Sequence, residues 1–111
     1  MNEKKAVNKF VRIPPRKARL AAGLIRGLSI ADATAQLSYS PLKGARLLQK
    51  TLNSAVANAE TELDVSRDDL RVIEVRIDEG PRLKRAKPKN KGGRHPIIKR
   101  TSHLTVVVGA V

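Results

Sequence analysis

The residues with most to offer chemically lie between Gly80 and Arg100, GPRLKRAKPKNKGGRHPIIKR, a stretch with nine lysines or arginines and no carboxylate. An ordinary surface loop mixes charge signs. Nine positive charges on so short a segment repel one another and weaken any compact local structure unless an anion offsets them. Phosphate oxygens do that, and lysine and arginine gain affinity from them by releasing counterions. The cations in question are Arg82, Lys84, Arg85, Lys87, Lys89, Lys91, Arg94, Lys99 and Arg100, with His95 among them.

Catalysis has little to draw on. The chain has no Walker loop, nucleophile elbow, HExxH motif or EF-hand loop. His95 reads as a phosphate contact within the basic stretch, and His103 as a strand residue that hydrogen-bonds a neighbour or RNA. The carboxylate pairs Asp68/Asp69 and Asp78/Glu79 lack the further spacing of a cation site, so they read as caps and turns. No metal or cofactor is expected, and no enzymatic activity. Cysteine is absent, which removes disulfides and thiolate metal sites and fits a reducing compartment.

The elements that must position the basic stretch flank it. Leu70 to Glu79 and Ser102 to Val108 both alternate apolar and polar residues, the pattern of half-buried antiparallel strands. Ile73, Val75 and Ile77 are expected on one face, with Glu74, Arg76 and Asp78 on the other. Leu104, Val106 and Val108 form the matching aliphatic row. With Asp78 opposite His103, the turn falls near Asn90 and Lys91, beside Gly92 and Gly93, which tolerate positive φ. The basic stretch is then the far end of a hairpin reaching on the order of 30 Å. Pro81, Pro88 and Pro96 each remove a ladder donor, so an irregular ladder is expected.

Upstream, Met1 to Lys5 reads as a frayed tail and Val7, Val11 and Ile13 as a first strand. Pro14 and Pro15 end it, and Pro15 suits the opening turn of a helix running to about Arg26. Leu20, Ala21, Leu24 and Ile25 form its apolar face, and Arg16, Lys17 and Arg19 are either nucleic-acid contacts or a solvated face. Ser29 caps a second helix, with Ala33 and Leu37 inward, ending near Tyr39. Ser40 and Pro41 open the longest helix, expected to reach Glu60 with Leu42, Ala45, Leu48, Leu52, Ala55, Val56 and Ala59 as its stripe. Its small alanines allow another element to approach closely.

At 111 residues the chain reads as one domain, 1–111, with a body over about 6–79 and 101–110 and an arm over about 80–100. Phe10 and Tyr39 are its only aromatic residues, so the core is expected to be aliphatic. A formal charge of +13 points to a polyanion. Residues 1–79 hold 14 basic and 10 acidic groups, and residues 80–111 hold 9 basic and none acidic. No apolar leader or membrane-length run is present, so neither secretion nor a membrane span is expected, and no C-terminal tail is expected to add contacts. A cationic membrane-surface protein would concentrate its charge on an amphipathic helix, whereas here it sits mainly on the hairpin. Two aromatics cannot build a platform for successive unstacked bases, so phosphates and shape are the expected readout. A basic hairpin could enter a crevice in folded RNA or wrap DNA as an architectural β-ribbon does.

PRKARL (Pro15 to Leu20), SAVANAE (Ser54 to Glu60), DEGP (Asp78 to Pro81) and KRTSHLTVVV (Lys99 to Val108), in this order, resemble the bacterial large-subunit ribosomal protein twenty-two family over about Val7 to Val108. The resemblance implies an α+β fold, a three-stranded antiparallel sheet packed on three helices, with one long protruding basic β-hairpin. It implies binding to large-subunit ribosomal RNA on a cytoplasmic bacterial ribosome and bridging of RNA domains during assembly. The hairpin would line the nascent-peptide exit tunnel, with its tip at Lys87, Pro88, Lys89, Asn90, Lys91, Gly92, Gly93 and Arg94. Other implied partners are neighbouring ribosomal proteins near the tunnel exit and the nascent polypeptide. No homo-oligomer is implied.

Overall fold

A computed structural model describes residues 3–81, 83–88 and 94–110, with 83–88 and 94–99 described for the backbone alone. The elements in order are β1 (Glu3–Val11), α1 (Pro15–Ala22), α2 (Ile30–Tyr39), α3 (Lys43–Leu63), β2 (Leu70–Glu79), β3 (Leu83–Pro88), β4 (Arg94–Lys99) and β5 (Ser102–Ala110). One antiparallel sheet has the order β1-β5-β2, and β3 and β4 form a separate two-stranded ribbon. The fold is the α+β arrangement expected.

The core is aliphatic. Ile13, Ile25, Ile30, Leu37, Leu48, Leu52, Leu70, Leu104, Val56, Val72, Val106 and Val108 are the largest fully buried side chains, each contributing about 1.5–3 kcal/mol by burial. Helices α1 and α3 approach closely because small residues meet. A Cβ added to Gly44 would lie 3.3 Å from Ala18 Cα, Ala21 Cβ and Ile13 Cδ1. Ser29 caps α2 as expected, its Oγ accepting from Asp32 N at 3.3 Å. Ser40 accepts from Leu42 N at 3.2 Å, but α3 begins two residues later than expected, at Lys43, and runs on to Leu63. Asp64 in the left-handed conformation (φ 52) then ends it.

Helix α1 is shorter than its apolar spacing suggests. After Ala22 the chain tightens into three-residue turns, with Leu24 N bonding Ala21 O and Ile25 N bonding Ala22 O. This brings Gly27 N to Val72 O at 3.2 Å, and Leu28 O accepts from Val72 N at 2.9 Å. Gly27 can take the required φ of 77° without a Cβ penalty. The inward face is therefore Ala18, Ala21, Ala22 and Ile25, and Leu20 is 61 % exposed rather than buried.

Two strands change phase midway. In β2 the register slips between Val72 and Glu74, so Leu70 and Val72 are buried before the slip and Val75 and Ile77 after it. Ile73, expected inward, is 48 % exposed and lies over Gly109, where an added Cβ would be 2.9 Å from its Cγ1. In β1, which begins at Glu3 rather than after a frayed tail, Asn8 pairs with Leu104 and Val11 with Ser102. The extra residue forms a bulge in which Phe10 adopts φ 58. The bulge turns Val11 and Ile13 inward and leaves Val7 on the open face.

Candidate nucleic-acid interface

The arm grows from the central strand β5 and the edge strand β2. Asp78 pairs with His103 and Glu79 with Ser102, as expected. The ribbon then pairs Leu83 with Lys99 through Pro88 with Arg94 without a shift. Between the last sheet pair and the first ribbon pair one strand is therefore one residue longer than the other, and the single sheet gives way to the separate ribbon. The joint is pinned by Gly80 N bonding Thr101 O at 2.9 Å and Thr101 Oγ1 donating to Pro81 O at 2.7 Å. Ser102 Oγ, buried, donates to Ile13 O at 2.6 Å. Glycine is required at 80, because a Cβ would lie 2.4 Å from Thr101 Oγ1.

The ladder is regular, contrary to the expectation from its prolines. Ala86 pairs with Pro96 and Pro88 with Arg94, two alternate pairs of one class. In an antiparallel pair one class points its N–H groups away from the partner strand, where proline loses no ladder bond. Lys84 pairs with Ile98, Arg85 with Ile97 and Lys87 with His95, and Arg100 is exposed. Arg82, Lys89, Asn90, Lys91, Gly92 and Gly93 lie outside the described residues, so the tip as expected from sequence is described only at its two ends. The whole is 62 Å long and 16 Å across its thinnest direction.

The body presents its own cations at the end that carries the arm. Arg16 and Lys17 are exposed in the first turn of α1, just after Ile13, which holds Ser102 beside the joint. Arg19 is brought elsewhere. Its Nη2 donates to Ile77 O at 3.1 Å, and Arg26 Nη2 donates to Val75 O at 3.1 Å. Together with Gly27 these side chains satisfy carbonyls on the outer edge of β2, which would otherwise be open to strand addition. Replacing Arg19 with alanine is expected to lower stability by about 1 kcal/mol, read from denaturant unfolding, and to change RNA affinity less than replacing Arg16 and Lys17. A larger loss of binding than of stability would place Arg19 on the RNA instead.

Sequence reading treated the body as weakly basic and missed how its charges separate. Residues 4–59 hold 11 basic groups and one acidic group, whereas residues 60–79 hold 8 acidic and 3 basic. The fold places five of those carboxylates at the end away from the arm, while Glu74, Asp78 and Glu79 run along β2 to the arm's root. Helix α3 runs antiparallel to β1, with Lys43 Nζ donating to Arg12 O at 3.3 Å near the arm and Lys4 ion-paired to Glu62 at 2.7 Å at the far end. Lys43, Arg46 and Lys50 line one stripe of α3 toward the arm, while Glu60, Glu62, Asp64, Asp68 and Asp69 cluster at the opposite end. The signal was available as a windowed charge count. On β2, Arg76 sits 3.8 Å from both Glu74 and Asp78, exposed contacts of little energetic weight.

Nothing in the described geometry resembles a catalytic constellation. Among the described residues there is no group of three or more His, Asp or Glu side chains able to hold a metal ion, and no helix is long and apolar enough to cross a membrane. His103 is occupied: its Nδ1 accepts from Phe10 N at 3.1 Å.

Comparison with known proteins agrees with the sequence motifs. Residues 6–109 match the pattern of the family described as Ribosomal protein L22p/L17e. The chain is 70 % identical to the large ribosomal subunit protein uL22 of Protochlamydia amoebophila over 108 residues, covering 97 % of each. It is 62 % identical to that of Chlamydia abortus and 61 % to that of Chlamydia felis, covering 95 % of each chain in both cases.

Proposed function

Because this chain belongs to the ribosomal protein L22p/L17e family, we propose that it is a structural constituent of the large ribosomal subunit, bound to ribosomal RNA through its arm and the adjoining end of its body. The observation that carries this reading is the arm itself, a two-stranded ribbon without a core of its own, drawn from a segment with nine cations and no carboxylate. Such a ribbon gains rigidity and charge neutralisation together when phosphates surround it. Its slenderness suits a path through folded RNA to the wall of the nascent-peptide exit tunnel, with Lys87 to Arg94 at the tip.

Arg82, Lys84, Arg85, Lys87, Lys89, Lys91, Arg94, His95, Lys99 and Arg100 serve as arm contacts, and Arg16 and Lys17 as body contacts. Lys43, Arg46 and Lys50 extend the same surface along α3. With nine cations in the arm segment and Glu60, Glu62, Asp64, Asp68 and Asp69 at the far end of the body, the molecule approaches an RNA surface arm first, that acidic cluster directed away. One protein touching RNA at both arm and body bridges RNA domains during assembly. Neighbouring ribosomal proteins and the nascent polypeptide are its other partners, in the cytoplasm. Its role is structural rather than catalytic, and it acts as one domain with an arm.

The test is a competition at equal salt between protein-free large-subunit ribosomal RNA and duplex DNA of matched length, read by filter retention. Preference for the folded RNA is expected. Preference for the duplex would favour an architectural DNA-binding role for the ribbon and defeat this reading.

A further inference from the structure

We propose that Phe10 is a stacking site for a single unpaired RNA base at the root of the arm, an inference that rests on the RNA-binding reading above. The chain has two aromatic side chains, and neither joins the core: Phe10 is 63 % exposed and Tyr39 89 %. Among the described residues the Tyr39 side chain has no hydrogen-bond or ring partner, whereas Phe10 is held in place.

Three features hold it. The backbone at Phe10 is left-handed, with φ 58, a conformation that glycine or asparagine adopts with less strain than a bulky residue. Its N–H donates to His103 Nδ1 at 3.1 Å. Its ring meets the His103 ring edge-on, with centroids 5.0 Å apart and planes at 89°. A bulge is needed here to turn Val11 and Ile13 inward, but glycine would serve that purpose. An aromatic ring at the strained position, fixed by one contact and otherwise open to solvent, points to use of its face.

The surroundings suit RNA. Lys9 and Arg12 lie on either side of Phe10, both exposed and neither ion-paired among the described residues, so phosphates on either side of a stacked base would be neutralised. The carboxylate across from His103 is Asp78, which already lies 3.8 Å from Arg76. Val11 pairs with Ser102, which places the ring where body and arm meet. Two aromatics cannot hold a run of bases, but one pinned ring can hold one.

The experiment measures binding of the full chain to protein-free large-subunit ribosomal RNA across a range of salt. Phe10→Gly keeps the bulge and removes the ring. Affinity should fall about 5- to 150-fold, the range of one base–aromatic stack, with the salt slope and circular dichroism unchanged. Phe10→Leu, which keeps apolar bulk without an aromatic face, should fall similarly. Phe10→Trp should retain binding, and because the chain otherwise lacks tryptophan, RNA should quench its fluorescence. Parent-like affinity in Phe10→Gly, or no quenching at saturating RNA, overturns the inference. The RNA-binding reading would survive that result provided arm substitutions still lower the salt slope.

Discussion

Replacing Lys84, Arg85 and Lys87 together with alanine is expected to lower affinity for large-subunit ribosomal RNA by about two orders of magnitude at 0.1 M salt. Each phosphate contact contributes about 0.7 to 0.9 to the slope of log affinity against log salt. Losing three makes the slope shallower by about 2 to 3, and variant and parent should converge toward 1 M salt, where counterion release no longer favours binding. The three residues lie on β3, outside the three-stranded sheet, so the circular dichroism and melting of the body should stay near those of the parent. If the triple variant unfolds instead, the ribbon belongs to the core and the division of the chain into body and arm is wrong.

The largest loss of stability is expected from Leu104→Ala. Leu104 is fully buried on β5, the central strand, and pairs with Asn8 on one side and Ile77 on the other. Truncation removes burial energy and leaves a cavity between the sheet and its helices, a loss of about 2–5 kcal/mol from a total of about 5–15 kcal/mol. The melting temperature should drop by about 10–30 °C. Because β5 also anchors one leg of the arm, binding should weaken in parallel with the unfolded fraction and recover in folded protein at low temperature. A variant that melts like the parent would mean that the sheet is not the base on which the arm stands.

Much of this was legible in the residues. The pairing of Asp78 with His103, posited from the two alternating runs that flank the basic stretch, is the observed register. The cap at Ser29 followed from a side chain that hydrogen-bonds an early N–H, whereas Ser40 bonds Leu42 N just ahead of a helix that begins at Lys43 without a side-chain cap. What escaped has a common cause: period-two and helical patterns assume an unbroken element. A bulge after Val72 moved Ile73 to the outer face, and another around Phe10 rephased β1. Gly27 and Leu28 partner the edge of β2, and α1 ends at Ala22 rather than near Arg26, with Leu20 on its exposed side. The prolines of the arm misled because their effect depends on which way each N–H points, which is fixed only once the register is known. At the interface, no sequence signal indicated that Arg19, an expected RNA contact of the PRKARL motif, also donates from Nη2 to Ile77 O.

Everything proposed for the arm requires that RNA phosphates neutralise its cations. A density map of the chain within its assembled large subunit tests this most directly. The prediction is that the cations from Arg82 to Arg100 lie against phosphate oxygens at charge-assisted distances of about 2.7–2.9 Å, with the acidic end of α3 directed away from the RNA. Arm side chains directed into open water, with no nucleotide beside them, would contradict it.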